Sequence, residues 1–138
     1  MEFKIYWHLP DEAKEIRNEV FGKEQGFINE FDEKDEVSVH LVAFDNETPV
    51  ATCRIYKDEN DAYAVGRLAV VKAYRGKNIG AQILSEAENY IRSQGGKEIS
   101  VSAQVRVEEF YKKQGFTPLG GVYLDESCPH IKMIKKLS

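Results

Sequence analysis

Two cysteines in 138 residues, Cys53 and Cys128, leave no room for a disulfide framework and no Cys-x-x-Cys pair for a structural metal. The expectation is free thiols, a cytoplasmic setting and no metal. Cationic charge is not in excess either. Lys and Arg number 19 against 23 Asp and Glu, a formal net charge of -4. A broad nucleic-acid surface is thereby excluded, while a local basic pocket is still allowed. No apolar run approaches the roughly 20 residues of a membrane span, so no membrane partner is expected. The opening residues lack the layout of a signal peptide, because their apolar stretch is short and acids follow it. Internal repeats and low-complexity segments are also missing. What remains is ordinary globular composition, 42% hydrophobic and 30% charged. The length suits one domain, residues 1–138, with a sizeable core.

The stretch from Val65 to Gln94 organises the chain. Val65 to Val71 is an apolar run of strand length. A polar knot follows, Arg75-Gly76-Lys77-Asn78-Ile79-Gly80. Beyond it Ile79, Ile83, Leu84, Ala87, Tyr90 and Ile91 recur at helical spacing. A buried strand thus feeds a glycine-containing turn that opens a helix. Free N–H groups at the helix start, the helix dipole and two basic side chains would make that turn an anion site. A plain connection with two solvated basic residues fits the same spacing.

Around this stretch the pattern predicts a strand at Phe3–Trp7 and a helix from Pro10-Asp11. That helix carries a stripe of Ala13, Ile16, Arg17, Val20 and Phe21, and Gly22 or Gly26 ends it. Residues 22–36 form an acidic stretch with Phe27, Ile28 and Phe31 interleaved. It reads equally as a solvated loop or as a substrate-facing loop that attracts a cation. Val37–Phe44 and Pro49–Tyr56 form a hairpin about Asp45–Thr48. A polar turn at 57–61 leads into a strand at 62–71. The helix at 80–94 stops at Gly95-Gly96. A strand at Glu98–Ala103, a short helix at Val107–Tyr111, and strands at Phe116–Leu124 and Ile131–Lys136 complete the chain. The order argues α+β with a mixed sheet.

The knot after an apolar strand resembles the acetyl-CoA pyrophosphate loop of the GNAT N-acetyltransferase superfamily, Arg/Gln-x-x-Gly-x-Gly/Ala. Phe110-Tyr111-Lys112-Lys113-Gln114-Gly115-Phe116 resembles the same superfamily's FYxKxGF helix and turn. Arg17-Asn18-Glu19-Val20-Phe21, Glu24-Gln25, Asp32, His40-Leu41 and Pro129 to Met133 resemble its small ElaA-like subgroup. Asn78 replaces the loop's usual first glycine, and Asn tolerates left-handed backbone better than other non-glycine residues. Gln104 stands where many members have Asn, Val107 where many have Ala, and Cys128 where the subgroup more often has an aliphatic residue.

The resemblance implies a mixed sheet of six to seven strands flanked by about four helices, splayed between strands 4 and 5. It implies acetyl-CoA as co-substrate and a primary amine acceptor, and it is compatible with a homodimer. Leu68, Ala69 and Val70 would lend backbone groups to the pantetheine arm, and the N–H of Ala69 or Val70 would polarise the acetyl carbonyl. Backbone amides of Arg75, Gly76, Lys77, Asn78, Ile79 and Gly80 would hold the pyrophosphate, helped by the charges of Arg75 and Lys77. Tyr111 would protonate the leaving thiolate, as an alternative to a core aromatic with a bonded hydroxyl. Candidates for the general base are Glu24, Glu30, Asp32, His40 and His130, or a water relay. The acidic loop points to a cationic acceptor such as a polyamine, an amino sugar or a lysine-like amine. Two other classes stay open. One is a non-catalytic acyl-CoA-binding module. The other is a thiol hydrolase built on Cys128 and His130, a pair at i and i+2 with no orienting third residue.

Overall fold

The structure is a computed structural model that describes residues 1–27, 30–58, 62–125 and 127–137. Seven strands form one sheet: β1 Glu2–Tyr6, β2 Val39–Asp45, β3 Thr48–Lys57, β4 Tyr63–Val70, β5 Glu98–Gln104, β6 Thr117–Asp125 and β7 Cys128–Lys136. Their order is β1-β2-β3-β4-β5-β7-β6. Neighbours are antiparallel except β4 and β5, which run parallel because α3 crosses over between them. The helices are α1 Asp11–Arg17, α2 Lys34–Val37, α3 Ile79–Ser93 and α4 Glu108–Lys113. The expected α+β architecture, with its strand and helix numbers, is the observed one.

Strand alternation divides the core between the two faces. Leu41, Ala43, Cys53, Ile55, Val65, Val101, Ala103, Ile131 and Met133 turn toward the apolar stripe of α3. That stripe is Ile79, Ile83, Leu84, Ala87 and Ile91, as its helical spacing requires. Val42, Phe44 and Ala69 turn the other way, onto Ala13, Ile16 and Val20 of the N-terminal helix. This helix covers the β1–β4 half only. On the same face Ser102, Lys132 and Tyr123 of β5, β7 and β6 stay exposed, and β6 forms an exposed outer edge.

The sheet opens where function needs room. β4 and β5 pair at three positions, Tyr63 with Ile99, Ala64 with Ser100 and Val65 with Val101, and then part. At the parting point β4 carries a bulge. Arg54 faces Gly66 and Thr52 faces Ala69, so Arg67 and Leu68 share the one place opposite Cys53. Arg67 takes φ +49, a left-handed conformation that is uncommon for any residue but glycine. The expected splay is present, and its cause is this local kink.

The differences from expectation are mostly at boundaries. The first helix does not run on as α-helix to a glycine stop. From Asn18 to Glu24 it continues as π-helix, and the Phe27 N–H reaches back to the Phe21 carbonyl at 2.8 Å. Residues 22–36 are not a plain loop, since α2 begins at Lys34 and Val37 is its last residue, not a strand residue. The last strand starts three residues early, at Cys128, which puts His130 inside β7 opposite Gln104 and Tyr123. The prediction for Ile28 and the tip of the 57–61 turn lie outside the described residues.

Candidate active site

A cavity of about 160 Å³ occupies the opening between β4 and β5. Leu68, Ala103, Gln104, Val107, Tyr111 and His130 are among its walls. Backbone direction follows from two bonds. The Val71 N–H donates to the Val50 carbonyl at 3.0 Å, so Val71 faces β3, and by strand alternation Ala69 does too. The Val70 carbonyl instead accepts from Arg75 Nε at 3.0 Å, on the open side. Leu68 and Val70 therefore present their backbone groups to the opening. Ala69, expected as an alternative donor, is committed to the β3 ladder, and its side chain is buried against the N-terminal helix.

Tyr111 comes from the first turns of α4, and its ring is wedged edge-on between Phe110 at 5.0 Å and Phe116 at 5.6 Å. The residue is 8% exposed, and its hydroxyl has no hydrogen-bond partner among the described residues. Burial, with a smaller effect from Cys53, pushes the phenol above its ordinary range, so it stays protonated. His130 is 7% exposed. Its Nδ1 lies 2.8 Å from the Cys128 carbonyl, an acceptor, so Nδ1 carries a proton, and in the neutral ring the lone pair is on Nε2. Tyr123 stacks on the ring at 6.0 Å, and its hydroxyl is hydrogen-bonded to Ser102 Oγ. His130 addresses the Cys128 carbonyl and not its thiol, which removes the basis of the Cys–His hydrolase reading. Cys53, with its thiol pushed up to about 12 by burial, is an inert core residue.

Beside the cavity the knot folds as a tight turn that opens α3. Gly76 has φ +80 and Asn78 φ +65, so Asn does supply the left-handed turn there. Asn78 caps α3, whose 15 residues begin at Ile79. Gly80 packs on Phe110 and Val70, and a Cβ there would meet the Phe110 ring at 3.5 Å, ordinary van der Waals contact. The helix start thus lies against the end of β4 and α4. Lys77 touches only the Tyr74 ring, at 5.4 Å, among the described residues. Arg75 is engaged. Its Nη1 and Nη2 donate to the two Glu24 oxygens at 2.5 and 2.7 Å, while Nε holds Val70. The hydrogen bond from Arg75 keeps the Glu24 carboxyl below its ordinary range, which makes Glu24 a poor proton acceptor.

Residues 9–137 match the acetyltransferase (GNAT) domain family. The chain belongs to the GNAT acetyltransferases. It is 32% identical over 123 residues to YjcF of Bacillus subtilis (strain 168), an uncharacterized N-acetyltransferase, covering 87% of each chain. Among solved structures it resembles ElaA of Escherichia coli, with TM-score 0.86 and 28% identity over 97% of this chain and 98% of that one. An acyl-CoA N-acyltransferase from Pseudomonas aeruginosa gives TM-score 0.87 and 27% identity, with the same shares covered. The subgroup is the ElaA-like one, and the chain is an acyltransferase of a family whose donor is acyl-CoA.

In this GNAT domain the acidic stretch does something its sequence hid. Glu30 and Asp35 are buried and hold Arg17, itself 1% exposed. Arg17 Nη1 and Nη2 donate to Asp35 at 2.7 and 3.0 Å. Arg54 of β3 donates to Asp32 at 2.6 Å and to Asp35 at 3.0 Å. Arg67, at the bulge, donates through Nε to the Glu30 carbonyl at 2.9 Å and lies 3.4 Å from Asp32. Three carboxylates are thus matched by three guanidinium groups drawn from three elements, and they fasten residues 30–35 as a wall of the cavity. Burial by itself would raise the Asp35 carboxyl, but the bonds and charges of Arg17 and Arg54 outweigh it and bring it to about 2.

Of the proposed bases, the structure brings only His130 and Glu30 to the cavity, and Glu30 is held by Arg17. Asp32 is tied to Arg54. His40 is buried away from the cavity, its Nε2 on the Asp35 carbonyl at 3.0 Å, and burial lowers its pKa. Arg67, Gln25, Ser102, Arg106 and Asp125 are among the wall residues that sequence reasoning missed. The one available signal was Arg17 within an apolar stripe, since a buried guanidinium implies a carboxylate partner.

Proposed function

We propose that the chain moves the acetyl group of acetyl-CoA to the primary amine of a small molecule or peptide, by direct attack in a ternary complex. One observation carries this reading. A proton-holding Tyr111 hydroxyl and an Nε2 lone pair on His130 line one cavity, at the opening between β4 and β5 and beside the start of α3.

The residues present fit the donor. The N–H groups that open α3, the left-handed turns at Gly76 and Asn78, and the free cation of Lys77 suit a pyrophosphate. The backbone of Leu68 and Val70 beyond the last β4–β5 pair suits an extended amide arm. When bound, acetyl-CoA supplies an activated acetyl thioester. The chain's own groups do the rest. The Val70 N–H is placed to polarise a carbonyl in the opening. His130 Nε2 takes a proton from the amine, which must be neutral to attack. Tyr111 Oη gives its proton to the departing sulfur. Arg75 is assigned to holding the end of the π-helical segment, and Glu24 to holding Arg75, not to base catalysis. With Glu30 and Asp32 neutralised by arginines, the acidic loop no longer argues for a cationic acceptor.

The rival reading, an acyl-CoA-binding module without turnover, has the lined cavity and the oriented His130 against it. Release of free CoA thiol in the presence of amines decides between them. In that assay Tyr111→Phe should lower kcat by roughly 10²-fold with acetyl-CoA binding retained, because the hydroxyl meets the sulfur only as charge develops there. Full activity in Tyr111→Phe would leave proton delivery to water.

A further inference from the structure

We infer that the amine acceptor also carries an anionic group, a carboxylate or a phosphate, set several bonds from the nitrogen. This rests on the acetyl-transfer reading above and names the class of acceptor. A groove of about 720 Å³ runs from the His130 end of the cavity across the uncovered half of the sheet, between β5 and β7 and the wall of residues 32–34. Its charges are not balanced in the way the sequence implies. Asp32 is bonded to Arg54, while Asp58 accepts the Ala62 N–H at 3.1 Å and keeps its negative charge. Lys34 and Lys132, on opposite walls, have no carboxylate partner among the described residues. Lys34 meets only the Tyr56 ring, at 5.3 Å. Arg67, raised into the groove by the left-handed bulge, spends Nε and Nη2 on the wall and has no described partner for Nη1. The remaining carboxylate, Asp125, lines both the groove and the cavity at the His130 end.

Beyond the Arg54–Asp32 pair, Lys34, Arg67 and Lys132 face Asp58 and Asp125 among the described lining residues, so the groove is cationic on balance. The end with Asp125 and His130 suits an ammonium that is about to lose a proton. The other end presents lysines. His130 and Lys132 are two residues apart on one face of β7, so the two ends lie about 7 Å apart. A diamine would bring its second charge against the lysines. An amine with an anion at that distance would pair with them, and like-charge juxtaposition is what excludes the wrong ligand.

The test uses the full chain, saturating acetyl-CoA, and CoA thiol release with four probes: 5-aminopentanoate, 3-aminopropyl phosphate, pentylamine and 1,5-diaminopentane. At least one anionic probe should exceed both the neutral and the cationic amine in kcat/KM by about tenfold or more, the value of one charge-assisted contact. The ratio between the two anionic probes tells carboxylate from phosphate. The double variant Lys34→Glu, Lys132→Glu should raise the KM of the preferred probe by about tenfold or more while the acetyl-CoA KM stays put. Equal use of all four amines, preference for the diamine, or an unaltered preference in the double variant overturns the anionic assignment and leaves acetyl transfer standing. Absence of thiol release with every amine, while acetyl-CoA still raises Tm, overturns acetyl transfer and this inference with it.

Discussion

Asp35→Asn tests the ion cluster that holds the cavity wall. The Asp35 carboxylate accepts from Arg17 Nη1 and Nη2 at 2.7 and 3.0 Å, from Arg54 Nη1 at 3.0 Å and from the Asp32 N–H at 3.2 Å. Asparagine keeps the shape, but it removes the charge and turns an NH₂ toward a guanidinium. Arg17 and Arg54 are then buried with one carboxylate too few. Removing one partner of a buried ion pair costs about 3–5 kcal/mol. Linkage gives an independent floor. A carboxyl brought from 3.8 to about 2 contributes about 2 kcal/mol through its charge alone. We expect a loss of about 3 kcal/mol at pH 7, a fall in Tm on the order of 10 °C for a chain of this size. Urea unfolding followed by far-UV circular dichroism measures it, with the midpoint lowered and m unchanged. The sign of the pH dependence is fixed. A folded-state value below the unfolded one gives stability that is whole above about pH 4 and is lost as pH falls toward 2. Wild type and Asp35→Asn should therefore converge across that window. A loss below about 1 kcal/mol at pH 7, or a gap that persists in acid, would refute the account. Because Glu30 lines the cavity and Asp32 and Lys34 line the groove beside it, the amine KM should rise more than that of acetyl-CoA.

Two further substitutions probe the other end of the site. Acetyl-CoA should raise the Tm of the wild-type chain, and Gly80→Asp should abolish that shift, since the new carboxylate would stand beside the pyrophosphate donors. A Cβ at Gly80 meets Phe110 and Val70 without a clash and aspartate suits the first turn of a helix, so the variant should fold; a shift of wild-type size would remove the anion-site assignment. Gly96→Ala should destabilise by about 2–3 kcal/mol, measured by urea unfolding, because its Cβ would fall 2.7 Å from Tyr63 Cδ2 and closer still to Ile91 Cγ2. A neutral result there would mean that the turn after α3 shifts freely.

The course of the chain was largely legible in its residues. The period of α3, the alternation along β2 to β5 and the turn chemistry between them are local properties, written in neighbours a few positions apart. So was the turn that opens α3, because Gly76, Asn78 and Gly80 act through their own backbone. Tyr111 was marked by the resemblance of its FYxKxGF segment to the superfamily, and not by spacing. Ends of elements were less legible. The extension of β7 back to Cys128 depends on its pairing with β6 and β5, and the π-helical segment depends on what α1 packs against.

What the chain alone determined was the scaffold and the left-handed turn that opens α3, since short-range spacing and backbone preference encode them. What only the tertiary structure decided was charge. Arg17, Arg54 and Arg67 lie far apart in sequence and meet Glu30, Asp32 and Asp35 only when α1, β3 and the bulge of β4 converge. An acidic run read by itself promises a negative surface. Folded, Glu30, Asp32 and Asp35 are matched by those arginines, and the groove beyond His130 gains Lys34 and Lys132 among its lining residues. Pairing across space, and not composition along the chain, sets the sign of the field that an acceptor meets.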